Sequence, residues 1–192
     1  MFLFKKRRSE SNSPDNTEEH TQPEKEPLDQ LEKIAFDVTR PAKERRIAIE
    51  KLSSSENKDT LECCARNDYD PLNRAAALRR LSYPESCEVL CYAAQHDLST
   101  YVQAEAVKLL PYPQEAELLF KIANRPESSV FSKSDSKVQE AAQKVLIKAG
   151  ICPRCGANTL VQETYTASRD DDPEFEYETE GYLCSECNWH EK

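Results

Sequence analysis

From Leu28 to Gly150 apolar positions recur three and four residues apart in short runs broken by polar stretches, the pattern of helices that each bury one face. The first of each pair of runs covers 28–37, 56–66, 85–95 and 114–124, and the second covers 41–52, 71–81, 99–110 and 135–148. Pro41 and Pro71 are expected to open second helices, where a missing N–H costs nothing, and Pro84 and Pro113 to do the same for first helices. Asp70 and Ser99 are the expected N-caps of their second helices. After Gly150 the period changes to two. Leu160–Tyr165 and Glu174–Glu180 read as strands around an acidic turn, Asp170-Asp171-Asp172-Pro173.

The helical runs repeat. At an offset of 29 residues Leu61 falls on Leu90, Asp68 on Asp97, Arg74 on Gln103, Ala77 on Ala106 and Leu81 on Leu110. The register carries forward from Leu90 to Leu119 and from Tyr83-Pro84 to Tyr112-Pro113. It also carries backward, from Arg74 to Arg45 and from Leu78 to Ile49, and reaches Leu31 and Ile34 after a one-residue slip. Four helical hairpins are therefore expected, none able to bury its apolar faces alone, so neighbours must stack. Residues 126–134 insert Ser, Glu and Lys before the last second helix, either a longer loop or a partner contact.

This repeat resembles the short form of the HEAT-like family. The matching residues are the loop aspartate, the arginine or glutamine ahead of the small residues, and the A-x-x-x-L ending, as in Asp68-Asn73-Arg74-Ala77-Leu81. The resemblance implies a curved stack whose second helices receive a peptide, protein or nucleic acid, and an arginine paired with the aspartate of a neighbouring unit. Arg45 and Arg74 are explained that way. Arg46, Arg79 and Arg80 are not, and are the candidate partner-binding residues, with a solvated helix face as the alternative.

The strongest chemical signal follows the last helix. Cys152-Pro153-Arg154-Cys155-Gly156 and Cys184-Ser185-Glu186-Cys187 supply two C-x-x-C pairs, four soft thiolates at the spacing that a closed tetrahedral Zn²⁺ site takes. The alternatives are two disulfides or two redox motifs. No apolar leader is read at the start of the chain, and neither pair opens a helix after a strand. The segment resembles the CPxCG…CxxC zinc ribbons, which implies one structural zinc ion on Cys152, Cys155, Cys184 and Cys187, two β-hairpins and no open coordination position. Ribbons serve many functions, so this resemblance fixes metal and fold alone.

The expected fold is mainly α: a helical-hairpin solenoid of about four HEAT-like repeats with a small C-terminal β zinc ribbon. The expected divisions are a disordered tail over 1–27, the repeats over 28–150 and the ribbon over 151–192. Formal net charge is −9, and residues 151–192 hold three Lys or Arg against ten Asp or Glu. That balance disfavours a general grip on nucleic acid, which depends on cations neutralising phosphates. The remaining cysteines, Cys63, Cys64, Cys87 and Cys91, fall on helices as small hydrophobes, so a reducing, cytoplasmic setting is expected. No run is long and apolar enough for a transmembrane span. The start, Met1-Phe2-Leu3-Phe4-Lys5-Lys6-Arg7-Arg8, offers at best a weak peripheral membrane contact. His20, His96 and His190 are scattered, and no catalytic motif is present. The expectation is a protein-binding adaptor and not an enzyme, with nucleic-acid binding through the basic second helices as the alternative.

Overall fold

The computed structural model describes residues 28–125, 133–168 and 176–191. The basic start, the acidic turn at 170–173 and most of the 126–134 insertion lie outside the described residues. Eight helices stand among those described: α1 Leu28–Phe36, α2 Ala42–Lys51, α3 Lys58–Asn67, α4 Pro71–Arg80, α5 Cys87–His96, α6 Thr100–Leu109, α7 Ala116–Ala123 and α8 Lys133–Lys148. Two antiparallel strands follow, β1 Leu160–Ser168 and β2 Glu176–Cys184, with Leu160 opposite Cys184 and Ser168 opposite Glu176.

The packing is that of a helical repeat. Within hairpins α1 lies on α2, α3 on α4, α5 on α6 and α7 on α8, while α2, α4, α6 and α8 pack in succession as one layer. Positions 29 residues apart take the same place in the core: Ile49, Leu78 and Val107 are buried, as are Leu61, Leu90 and Leu119. Ala75, Ala76 and Ala77 on α4, with Ala104 and Ala106 on α6, are buried too. Side chains this small let successive second helices approach closely, which draws the apolar surface into one continuous core.

Polar ties cross from unit to unit in the same register. Arg45 grips Asp68 (2.8 and 3.2 Å), and Arg74 grips Asp97 (both 2.8 Å). Each aspartate also accepts a backbone N–H two residues on, from Asp70 and Ser99 respectively, and so shapes its own loop. A second series joins first helices. Glu32 accepts from Asn57 and Thr60, Glu62 accepts from Ser86, and in the next unit the acid has changed sides, with Glu115 accepting from Tyr83 and the Cys91 thiol. Burial first, then Glu115, pushes that thiol up to about 12, so Cys91 acts as a donor within the core wall.

Three local expectations need correction. First helices α3, α5 and α7 begin two residues later than the periodicity suggests, because a turn closed by Asn57 N–H on Ser53 O, Ser86 N–H on Ser82 O and Glu115 N–H on Pro111 O precedes each; Pro84 and Pro113 lie inside the latter two. Pro71 does occupy the first helical position, and Asp70 caps α4 by accepting from Leu72 N at 2.8 Å, but Ser99 makes no side-chain cap bond. The C-terminal segment forms one two-stranded sheet among the described residues, not two hairpins; beyond it a single bridge joins Leu183 to His190.

Candidate metal centre

The last turn of α8 sets the position of the first cysteine pair. Gly150 takes a left-handed conformation (φ 78°), its N–H bonds to Ile147 O, and Ile151 N–H reaches back to Leu146 O at 2.9 Å. This is a helix C-cap in which Ile151 and Leu146 bury their side chains together. The chain then turns directly into Cys152. From α7, Asn124 donates to Pro153 O at 2.8 Å, and the Phe120 ring lies beneath Gly156, where an added Cβ would meet it at 3.4 Å. The first knuckle is thus seated on the end of the helical stack.

The two knuckles have the same form. Gly156 N–H bonds to Cys152 O and Asn188 N–H to Cys184 O, each at 2.9 Å, and both residues have positive φ (79° and 54°). Left-handed backbone is open to glycine at no steric cost and to asparagine more readily than to other side chains. Sequence reading noticed Gly156 and passed over Asn188, its counterpart one residue after Cys187.

The strand register brings the knuckles face to face, and the four sulfurs converge. All lie within 4.8 Å of one another, with Cys152 to Cys187 and Cys155 to Cys184 each at 3.6 Å. A tetrahedral ion with bonds of about 2.3 Å to sulfur sets its ligands roughly 3.8 Å apart. The spacing fits that geometry, and the cysteines are free, so neither disulfide alternative is realised. Cys152 and Cys184 are buried, Cys187 is half-buried and Cys155 faces solvent. The cluster is able to chelate a metal ion.

Surrounding donors favour thiolates. Burial pushes the Cys152 thiol up, opposed by backbone N–H groups of Cys155 and Arg154 that point at its sulfur, and those of Glu186 and Cys187 point at Cys184. Thr159, which no motif singled out, sets its hydroxyl 3.4 Å from the Cys184 sulfur and is the main reason that thiol is held down to about 6. Burial, followed by the neighbouring sulfurs, drives Cys187 the other way, up to about 12. Four sulfurs this close do not all ionise unless a cation sits among them.

The three candidate arginines do not form one free patch. Arg79 on α4 reaches across to α6, pairing with Glu105 at 2.8 Å and meeting the Tyr101 hydroxyl at 3.3 Å. Arg80 points the other way and donates to Leu52 O at 3.0 Å, at the end of α2. Arg46 is half-buried on α2. Cys87 and Cys91, four apart on α5, join no group of three or more metal-ligating side chains among the described residues. His190 lies beside the second knuckle and is not one of the clustered ligands. No helix of the described residues is long and apolar enough to cross a membrane. Comparisons of the chain with protein-family models, with curated proteins and with solved structures return no match.

Proposed function

We propose that this chain is a cytoplasmic protein-binding adaptor, built as a short HEAT-like stack over 28–150 with a structural zinc ribbon over 151–192. The observation that carries the reading is the closed four-cysteine cluster seated on the stack's end. One Zn²⁺ on Cys152, Cys155, Cys184 and Cys187 would supply cohesion to a segment too small for a core of its own. With all four positions taken by thiolates, the ion has no catalytic role in this proposal.

Binding is assigned to shape and charge. The layer of second helices offers an extended surface, with Arg46 on α2 and Arg79 and Arg80 on α4 as proposed contacts. Nucleic acid is the weaker candidate, because Arg79 already faces Glu105 and Arg80 is engaged with Leu52 O, and the chain as a whole is acidic. The test is affinity capture of the tagged, zinc-loaded protein from lysate, with and without nuclease, eluted across a salt gradient. A defined protein partner that survives nuclease supports the adaptor. Recovery that disappears with nuclease and falls steeply with salt overturns it.

A further inference from the structure

One opening among the described residues lies between α8 and the cysteine knuckles. It is a cleft of about 540 Å³, walled by Gln143, Lys144 and Ile147 on one side and by Arg154, Trp189 and His190 on the other. A second groove of about 360 Å³ runs between α6 and α8, past Tyr101, Lys108 and Lys137. Glu140 and Lys144 line both, so the two openings adjoin along α8 and together make a trough with that ion pair at its middle. From Lys137 to Ile147 the helix rises about 15 Å, the length of roughly five extended residues.

We infer that this trough is the docking site of an acidic linear peptide. This rests on the adaptor reading and moves the contact along the second-helix layer, from the Arg46, Arg79 and Arg80 face toward α8; Arg79 borders the trough through its bonds to Tyr101 and Glu105. The argument is charge. Four cations line the trough in a protein whose formal net charge is −9. Glu105 is held by Arg79 and Lys108, and Glu140 by Lys144, which leaves Lys137 near one end and Arg154 beyond the other without an ion pair among the described residues. Half-exposed aromatic rings accompany these free cations, Tyr101 in the α6–α8 groove and Trp189 in the cleft. Trp, Tyr and Arg are the side chains that most often anchor interfaces. Glu191 also lines the cleft. Carboxylates interspersed in this way repel an unbroken row of phosphates but tolerate a peptide whose acids fall only where Lys137 and Arg154 stand. Because Arg154 stands beyond Ile147, two acids at least about five residues apart with an apolar residue between them suit the trough.

Trp189 is the only tryptophan of the chain, so its fluorescence reports on the cleft alone. The experiment selects binders from a displayed library of random peptides about seven residues long against the zinc-loaded full chain. One enriched peptide is then titrated while Trp189 emission is followed. The expected result is enrichment of paired acids around an apolar residue and a saturable change in emission. Lys137→Glu and Arg154→Glu should each weaken binding about five- to ten-fold, and Glu178→Lys on the hairpin should change it less than about two-fold. No enrichment, neutral or basic sequences, or binding indifferent to Arg154→Glu would overturn the proposal. So would a single-stranded oligonucleotide that perturbs Trp189 at lower concentration than the peptide does. A captured partner retained by the Lys137→Glu, Arg154→Glu double variant removes the trough and keeps the adaptor, whereas no partner for either protein removes both.

Discussion

Arg45 and Asp68, 23 residues apart, meet as a two-pronged ion pair with side chains only 1% and 6% exposed. Arg45 further donates to Arg40 O and to the Tyr69 hydroxyl, and its guanidinium carbon lies 4.4 Å from the centre of the Tyr69 ring. Removing one partner of such a pair strands a buried charge. Asp68→Ala is expected to cost about 3–5 kcal/mol in urea unfolding, while replacing both residues by apolar ones of similar volume should recover much of that. A loss under about 1 kcal/mol for Asp68→Ala would show that the pair does not hold the units together.

The same pair sets an acid limit. Burial alone would raise the Asp68 carboxyl, but the bonds from Arg45, Asp70 N–H and Asn73 more than offset it, and the group sits below the ordinary carboxylate range. Its contribution is therefore complete above the unfolded value of about 3.9 and fades as pH falls toward the lower folded value. Stability measured by denaturant from about pH 5 downward should decline in the native chain, and Asp68→Asn should flatten that decline. Equal slopes for the two proteins would remove Asp68 from the account.

Metal content separates the cysteines into two sets. The purified protein is expected to carry one zinc per chain by elemental analysis, and Cys152→Ser or Cys184→Ser to abolish it. Serine at Cys63, Cys64, Cys87 and Cys91 together should leave the zinc in place. Chelation should raise amide exchange across β1 and β2 first, because an isolated two-stranded hairpin is marginal in water. Protection in the hairpin that survives chelation would argue that the metal is dispensable to it.

The two knuckles differ in how much substitution they tolerate. Gly156→Ala forces a Cβ into the left-handed region and against Phe120, so a loss of about 1–2 kcal/mol is expected along with weaker zinc retention. Asn188→Gly relieves the corresponding strain and should stay within about 0.5 kcal/mol of the native protein. Competition with a chromogenic chelator ranks the variants; equal retention by both would show that the turn conformation is not limiting.

The core was legible because it repeats: Ile49, Leu78 and Val107 could be superposed by counting alone, and all three are buried. So was the metal centre, since C-x-x-C spacing states its geometry locally. The parts that escaped depend on partners distant in sequence or on the backbone. Thr159 approaches Cys184 only once the strands are in register, and Arg80 finds a carbonyl, which carries no side-chain signature. Ser99 resembles a cap by type and position, and Asp97 holds its N–H as Asp68 holds that of Asp70, yet only Asp70 makes the side-chain cap bond. First helices start later than the apolar period indicates because the turn ahead of each is closed by backbone bonds, on Ser53, Ser82 and Pro111 carbonyls, which leave no side-chain pattern; where proline stands in that turn it signals a turn as readily as a helix start.

Gln103 stands where Arg45 and Arg74 stand in the earlier units. All three donate to a carbonyl of their own hairpin loop, Gln103 to Asp97 O at 2.7 Å, but only the arginines also grip a carboxylate of the next unit. The position 29 residues beyond Asp97 is Pro126, which has no carboxylate to receive one. Where an arginine reaches an aspartate, at Asp68 and Asp97, the segment between paired helices is three residues long; ahead of α2, where none does, it spans 37–41. The arginine and aspartate thus act as a ruler for loop length in the two loops they clasp, and the longer loop at 37–41 lies outside the ruler's reach.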